Sequence, residues 1–427
     1  MSARGVTVGG AGDPIYRSRP GAESLRPASD EPAVDLGDGI WMSAGLSNSY
    51  MLRTGAGRII VNTGMGFEAP LHRKAFDAVD ASRVHTIILT QAHPDHFGGV
   101  DAFREAGTQI VTHAAFVAGR RDFERLQAFK ARNSTFAFMK AIAAATAHAR
   151  SAGGRVPAQS SPEPTRVFEG ELELEIGGRT LRLLSTPGGE TTDSLVIWLP
   201  ECRTALTGNV FGPLFGHVPN LVTIRGDRYR DALAYVASVE RVRALRPARI
   251  VTGHFDPIDG EDRIDAELRR LRDATQWIHD RTVEGMNAGR DVYSLMREIA
   301  LPEGLDVGEG YGKVAWNVRA IWETYAGWFH HRSTTELYAI PPSAIAPDLV
   351  AAAGARALVA AASARLAAGE PVEALHLTDV VLAAAPDDAD ARRVAAEAHA
   401  ALLARATNFW EKAWLRRRIE QLGGATR

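Results

Sequence analysis

The sequence has a single cysteine, Cys202, among its 427 residues. That excludes a disulfide framework within the chain and any cysteine-rich zinc or iron–sulfur site. A bound metal must therefore be held by His, Asp, Glu or amide side chains, and 13 histidines permit it. Long apolar runs are absent as well. No stretch approaches the roughly 18 consecutive apolar residues of a membrane span, because Arg, Glu and Asp break the Ala-rich segments. The N-terminal MSARGVTVGGAGDPIYRSRP has no apolar core behind its arginines and does not read as a secretory leader. Neither sign of charge is in excess: 49 Lys and Arg stand against 51 Asp and Glu. No basic field favours nucleic acid. A cytoplasmic, reducing location is the default expectation.

What is present is enough chain for more than one domain. Residues 1–36 are rich in Gly, Pro and charge and predict an extended lead-in. From Gly39 short strands separated by Gly turns follow, with GLSNSYML and Arg58–Val61 as two of them. Glu68–Ala81 has helical spacing. VHTIIL, Val84–Leu89, is a β-branched run of the kind buried on both faces of a sheet. A helix is expected over Gly98–Gly107 and a strand over Gln109–Thr112. Leu126–Arg150 reads as mostly helical, and Val156–Thr165 as a Pro/Ser-rich loop. Strand signals resume at Glu171–Ile176, Thr180–Ser185, Ser194–Leu199 and Arg203–Thr207. Tyr229–Leu245 is a helix and Ala248–Thr252 the last strand. This alternation predicts a layered α/β fold. Past Asp259 only helices are expected, ending in Ala-rich hairpins with turns at Gly369–Pro371 and Pro386–Asp388.

The chemistry concentrates in TQAHPDHFGG, Thr90–Gly99, directly after the VHTIIL strand. Loops at the carboxyl ends of strands are where layered α/β folds place ligands. His93, Asp95 and His96 crowd into four positions, and such donors suit zinc, iron or manganese. Taken alone, the segment also fits an N-capping Asp with exposed histidines. Three later loops count against that reading: TPGGETTDS with Glu190 and Asp193, LTGNV with Asn209, and VTGHFDP with His254. Each single residue has an ordinary alternative as a cap, a turn or a backbone partner. Four strand ends in a row, each carrying a donor, do not.

TQAHPDHFGG resembles the HxHxDH motif of the metallo-β-lactamase superfamily. Within it the chain is most similar to the alkyl sulfatase branch. Glu190 in TPGGE, the segment NLVTIRG (Asn220–Gly226) followed by Arg230–Asp231, and YGKVAWNVRAIWETYAGWF (Tyr311–Phe329) carry that resemblance, as does the helical-hairpin segment Gly369–Leu403. The resemblance implies an α/β, metallo-β-lactamase-type αββα sandwich over 37–285. An all-helical dimerisation domain over 286–427 follows, so a homodimer is expected. The sterol-carrier-like domain that the resemblance also implies is not expected within these residues.

By the same resemblance one metal would take Gln91, His93 and Glu190, and the other Asp95, His96 and His254, with Asn209 at the bridging position. Gln91 stands where the motif has its first histidine, and Asn209 where it has a carboxylate. Both amides are neutral, weak ligands that remove charge needed to hold two cations close together. One tight zinc and at best a weak second follow, with iron or manganese as alternatives. Asp95, Arg225, Asn220 and His217 are the residues expected to act on substrate, and Arg225 and Asn220 match positions near sulfate. His113 is a further cleft candidate. Thr191, Thr192 and Asp193 would orient ligands, and the apolar Phe211–Pro219 would line a pocket. The implied activity is hydrolysis of a sulfate ester by metal-activated water. The expected substrate is a small anionic molecule with an apolar part. Two rivals stay open: another one-metal chemistry, such as ester or lactone hydrolysis or non-haem iron chemistry, and a non-catalytic dimeric binding protein. Trp316, Ile321, Trp322, Tyr325 and Trp328 fit either a bundle core or a partner-facing stripe.

Overall fold

The computed structural model describes residues 12–151 and 157–424. The first residues of the expected lead-in, and Val156 at the head of the Pro/Ser-rich loop, lie outside them. The chain divides into two compact units, the first ending at Thr324 and the second beginning at Tyr325. The expected boundary at 285/286, placed where strand signals give way to helices, is a separate division of the chain.

The first unit contains two sheets. One runs β1 (Val34–Asp35), β2 (Ile40–Ser43), β3 (Ser49–Thr54), β4 (Gly57–Val61), β5 (Val84–Ile88), β6 (Gln109–His113) and β7 (Arg166–Phe168), in that spatial order. Its first four strands pair antiparallel and its last four parallel. The other contains β8 (Glu171–Ile176), β9 (Arg179–Ser185), β10 (Leu195–Leu199), β11 (Thr204–Gly208), β12 (Arg249–Thr252) and β13 (Ile258–Asp259) in sequential spatial order. Only β11 and β12 pair in parallel there.

Strand side chains alternate between the two faces of a sheet, and the first sheet uses both. Leu52, Ile59, Val61 and Ile88 face a core shared with Leu181, Leu183, Leu195, Ile197, Leu206 and Val251 of the second sheet. Their neighbours Met51, Ile60 and Ile87 face the opposite way, onto Phe76, Phe97, Val100 and Phe103 from helical segments. This explains why VHTIIL is apolar without alternation: it is covered on both sides. On the far side lie the helices Ala232–Ala244 and Glu261–Asn287, which pack on each other. The order is helix, sheet, sheet, helix, as expected for a metallo-β-lactamase-type sandwich.

Several local expectations change. The helix expected over Gly98–Gly107 is a single turn, Val100–Phe103, because the chain must close quickly to reach β6. The helix expected from Tyr229 begins at Ala232, where Asp231 caps it by accepting from Ala234 N at 2.7 Å. The described part of the lead-in is not simply extended. It makes two short turns, Ile15–Arg17 and Ala22–Ser24, and buries Ile15, Ala22 and Ala28.

The second unit is all helical. Ala355–Ala367, Pro371–Ala384, Ala389–Leu403 and Phe409–Gln421 pack in succession around Val359, Ala362, Ala374, Val381 and Val394. Both expected turns appear. Gly369 takes φ +81° before Pro371, and Asp388 caps the next helix through Ala391 N. Among the described residues, no single helix is long and apolar enough to cross a membrane.

Candidate metal centre

Four loops that leave β5, β9, β11 and β12 meet at one end of the sandwich. Backbone hydrogen bonds tie the two sheets together there: Leu195 N donates to Thr90 O at 3.0 Å, and Asn48 N to Gly253 O at 2.7 Å. The loop after β5 turns into the one-turn helix Pro94–Phe97, which sets Asp95 and His96 side by side. His96 and His254 are buried, and their rings meet edge to face with centroids 6.2 Å apart.

Asp95, His96 and His254 each offer a ligand atom, and these atoms all lie within 4.8 Å of one another. An outer carbonyl fixes the His254 tautomer, and the Ser47 hydroxyl is placed to favour the same one for His96. His254 Nδ1 donates to Leu46 O at 2.7 Å. Ser47 Oγ donates to Gly253 O and so takes His96 Nδ1–H at 3.4 Å. Both Nε2 lone pairs are therefore turned inward, the arrangement that outer-sphere partners impose on metal-binding histidines. Burial pushes the His96 ring down to about 4 and the His254 ring below its ordinary value, so both are neutral at pH 7. Burial pushes the Asp95 carboxyl up, but the neighbouring His96, His254 and His93 rings outweigh it and hold it below the usual carboxylate range. Two neutral imidazoles and one ionised carboxylate form a donor set that fits a divalent ion.

Asn209 sits inside this cluster. Its Nδ2 is 3.1 Å from His96 Nε2 and 3.1 Å from His254 Nε2, donating to both inward lone pairs, while its buried Oδ1 has no partner. Gly253 is required beside it. A Cβ there would lie 2.2 Å from Asn209 Oδ1 and 3.1 Å from His96 Cε1.

The other expected ligand set is differently engaged. Gln91 Nε2 lies 2.7 Å from His93 Nδ1. Glu190 Oε1 is 3.5 Å from the same nitrogen, but its Oε2 accepts from Arg230 Nη1 at 2.9 Å. Arg225 Nη2 stands 3.4 Å from His93 Nε2, 3.5 Å from Asp227 Oδ2 and 3.9 Å from Glu190 Oε1. Lys130 Nζ reaches Asp227 Oδ1 at 3.3 Å. Among the described residues, the Asp95–His96–His254 group is the one cluster of three or more His, Cys, Asp or Glu donors.

Arg230 Nη1 also donates to Asn220 O at 2.6 Å, which joins Asn220 to Glu190. Both amide atoms of the Asn220 side chain are buried without a partner. Asp193 is buried nearby in sequence, with burial pushing its carboxyl up to about 6, and Thr191 Oγ pairs with Ser194 Oγ at 2.8 Å. His217 stands against other groups. Its Nδ1 accepts from Gly310 N at 2.9 Å, and its ring meets Tyr16 edge to face. His113 bonds Ser185 Oγ and its own turn through Ala115 N. Phe211, Leu214, Phe215 and Val218 are buried.

Sequence reasoning did not single out Arg230, Asp227, Lys130, Leu46 or Ser47 as site residues. Arg230 and Asp227 lie in the same RGDRYRD run as Arg225, so a dense charge run beside a candidate anion ligand was the available signal. The others act through a carbonyl, a hydroxyl or a distant helix and leave no local pattern.

Residues 42–254 match the model of the metallo-beta-lactamase superfamily, and residues 293–422 match that of alkyl sulfatase dimerisation. A linear primary-alkylsulfatase from a Pseudomonas species is 30% identical over 367 residues, covering 81% of this chain and 68% of the relative. The chain belongs to the alkyl sulfatase branch of the metallo-beta-lactamase superfamily. Further relatives share less identity with this chain. An (R)-specific secondary-alkylsulfatase from a Pseudomonas species is 26% identical over 82% of this chain and 56% of its own length. An alkyl/aryl-sulfatase of Saccharomyces cerevisiae is 26% identical over 78% and 54%. The solved inverting sec-alkylsulfatase from Pseudomonas superposes with a TM-score of 0.79 at 21% identity, covering 92% of this chain and 66% of that one. That likeness concerns the fold. The chain thus spans between about half and two thirds of the length of these relatives. Family membership and the Asp–His–His cluster together support a metallohydrolase acting on an ester-type substrate.

Proposed function

We propose that this chain is a one-metal hydrolase of sulfate esters or closely related anionic esters bearing an apolar group, and that it works as a homodimer. The observation that carries the reading is the convergence of Asp95, His96 and His254 donor atoms within 4.8 Å. Zinc is the ion this set suits best, with iron or manganese as alternatives. Such an ion, when bound, supplies Lewis acidity and brings water toward a neutral pKa.

The protein's own part is arrangement. Leu46 O and Ser47 Oγ hold the two imidazoles with Nε2 inward. Asn209 must turn its amide, since its N–H donors occupy those lone pairs. With the amide turned, the now unpartnered Oδ1 would be the atom available to hold the ion as a neutral ligand. Arg225 offers a guanidinium beside the cluster for the anionic group of the substrate. The unpartnered Asn220 amide is suited to bond an ester oxygen. Gln91, His93 and Glu190 hold one another and the two arginines, which supports a weak second ion at most. His217, engaged with Gly310 and Tyr16, is read as a packing residue.

Homodimerisation is supported by the dimerisation-model match and by Trp328, Tyr338 and Ile340, each about two-thirds exposed. We also assign residues 37–285 to catalysis and 286–427 to dimerisation. A reducing, cytoplasmic setting is consistent with the single free Cys202. The test is metal content of protein purified without added metal, followed by a panel of alkyl sulfates, phosphate esters, lactones and thioesters. One zinc per chain with sulfate-ester turnover supports the reading. Two tightly held ions per chain would sink the one-metal part. Turnover of lactones or carboxylic esters alone would shift the substrate class, a result the neutral amides Gln91 and Asn209 make worth seeking. No metal uptake under replete conditions would leave a binding protein.

A further inference from the structure

Glu68 lies at the start of the helix Ala69–Asp77, but its side chain does not cap that helix. It is 1% exposed, and its Oε1 accepts two backbone N–H groups, Leu46 N at 3.0 Å and Ala28 N at 2.7 Å. The carbonyl of that same Leu46 takes His254 Nδ1–H at 2.7 Å. One carboxylate therefore grips the donor end of a residue whose acceptor end orients a candidate ligand. Gly45 lets this segment close on Glu68, since a Cβ there would meet Glu68 Oε1 at 3.1 Å and His72 Cε1 at 2.8 Å.

The second partner, Ala28, belongs to the lead-in. That segment is fastened along its length: Ile15 N donates to Glu267 Oε1 at 3.1 Å, Tyr16 Oη to Asp306 Oδ1 at 2.8 Å, and Asp30 pairs with Lys74 at 2.8 Å. Between these points Arg19 Nη2 donates to Asp256 O at 2.9 Å, two residues beyond His254. The intervening Phe255 takes φ +62°, a left-handed conformation costly for a bulky residue. Its carbonyl is held by Asn48 Nδ2 at 2.9 Å, and the His254 carbonyl by Thr252 Oγ1 at 2.6 Å. The lead-in thus touches both segments that hold His254, one through Glu68 and Leu46, the other through Asp256.

We propose that Glu68 is a positioning residue for His254, acting through the Leu46 peptide, and that residues 15–30 form a strap that holds this linkage and the strained 255–256 turn together. The inference rests on His254 being a metal ligand, as proposed above. A ligand imidazole whose orienting partners are themselves fixed loses less freedom on binding an ion.

The test compares full-length Glu68→Leu, Glu68→Gln and Arg19→Ala with wild type. Hydrogen exchange of the metal-free chains reads segments 44–50 and 252–257 directly. Zinc affinity by chelator competition, and the visible spectrum of the cobalt-substituted chains, read the ligand geometry. Glu68→Leu removes the acceptor and should raise exchange in both segments, weaken zinc by about tenfold or more, and alter the cobalt spectrum. Glu68→Gln keeps an acceptor oxygen and should restore all three readouts, which a purely structural loss of charge would not. Arg19→Ala should raise exchange in 252–257 and weaken zinc several-fold. A folded Glu68→Leu chain with wild-type exchange and affinity overturns the proposal. If Glu68→Leu does not fold, wild-type values for Arg19→Ala overturn it. A wild-type chain that takes up no zinc fails the metal reading instead, and the metal-free exchange data still decide the linkage.

Discussion

Asn209 Nδ2 lies 3.1 Å from His254 Nε2 and donates to the lone pair that faces the centre of the donor cluster. The amide does the same to His96 Nε2. A neutral side chain thus occupies, as a hydrogen-bond donor, the point where a cation's positive charge would lie.

Asn209→Asp follows directly from this. The carboxylate has no N–H to place against the imidazoles and adds a negative charge to the donor set. Zinc affinity measured by chelator competition should rise on the order of tenfold. Equal or weaker affinity would mean that Asn209 does not compete with the ion.

Removing a ligand should abolish metal retention. His254→Ala and Asp95→Asn are each expected to lose stoichiometric zinc in elemental analysis. Each should also lower kcat/KM on a sulfate ester by about three powers of ten, or ~4 kcal/mol of barrier. His93→Ala, in the set held by Gln91 and Glu190, should leave metal content near wild type. Retention of zinc by His254→Ala would move the centre elsewhere.

Arg230 and Glu190 form an ion pair with both side chains less than 5% exposed. Breaking it in Arg230→Met leaves the buried carboxylate with only the longer Arg225 contact at 3.9 Å, at a cost of up to about 3–5 kcal/mol in denaturant unfolding. The double variant Arg230→Met/Glu190→Met should recover much of that loss. A single variant within experimental error of wild type would show the pair to be hydrated.

Burial pushes the His217 ring down to about 4 from its ordinary value of 6.5. The unfolded chain therefore takes up a proton here at a pH where the folded chain does not. The group's contribution is whole above pH 6.5 and is lost as pH falls toward 4. His217→Gln removes the titration, so the fall in Tm from pH 6.5 to 4 should be smaller than in wild type. Parallel Tm curves for the two proteins would contradict this.

Sedimentation should give a species of twice the chain mass. Trp328→Asp and Ile340→Asp should each weaken it by about 2 kcal/mol if they sit at the centre of the contact. A monomer at micromolar concentration would remove the homodimer from the proposal.

The layered fold was legible because its strands are local patterns. VHTIIL announced a strand covered on both faces, and Gly369 and Asp388 announced the hairpin turns of the helical unit. His93, Asp95 and His96 were legible because they crowd one strand end. Glu190, Asn209 and His254 recur at three more. The resemblance already divided those donors into two sets, and tertiary structure decided what each set does. Asp95, His96 and His254 converge, whereas Glu190 pairs with Arg230, 40 residues away, and Gln91 turns onto His93. It also decided that the lead-in is a fastened strap, because Ala28 reaches Glu68 across 40 residues and Ile15 reaches Glu267 across 252. Periodicity records which face of an element is apolar. It carries no record of which distant carboxylate accepts a given backbone N–H, and the orientation of His254 depends on such bonds.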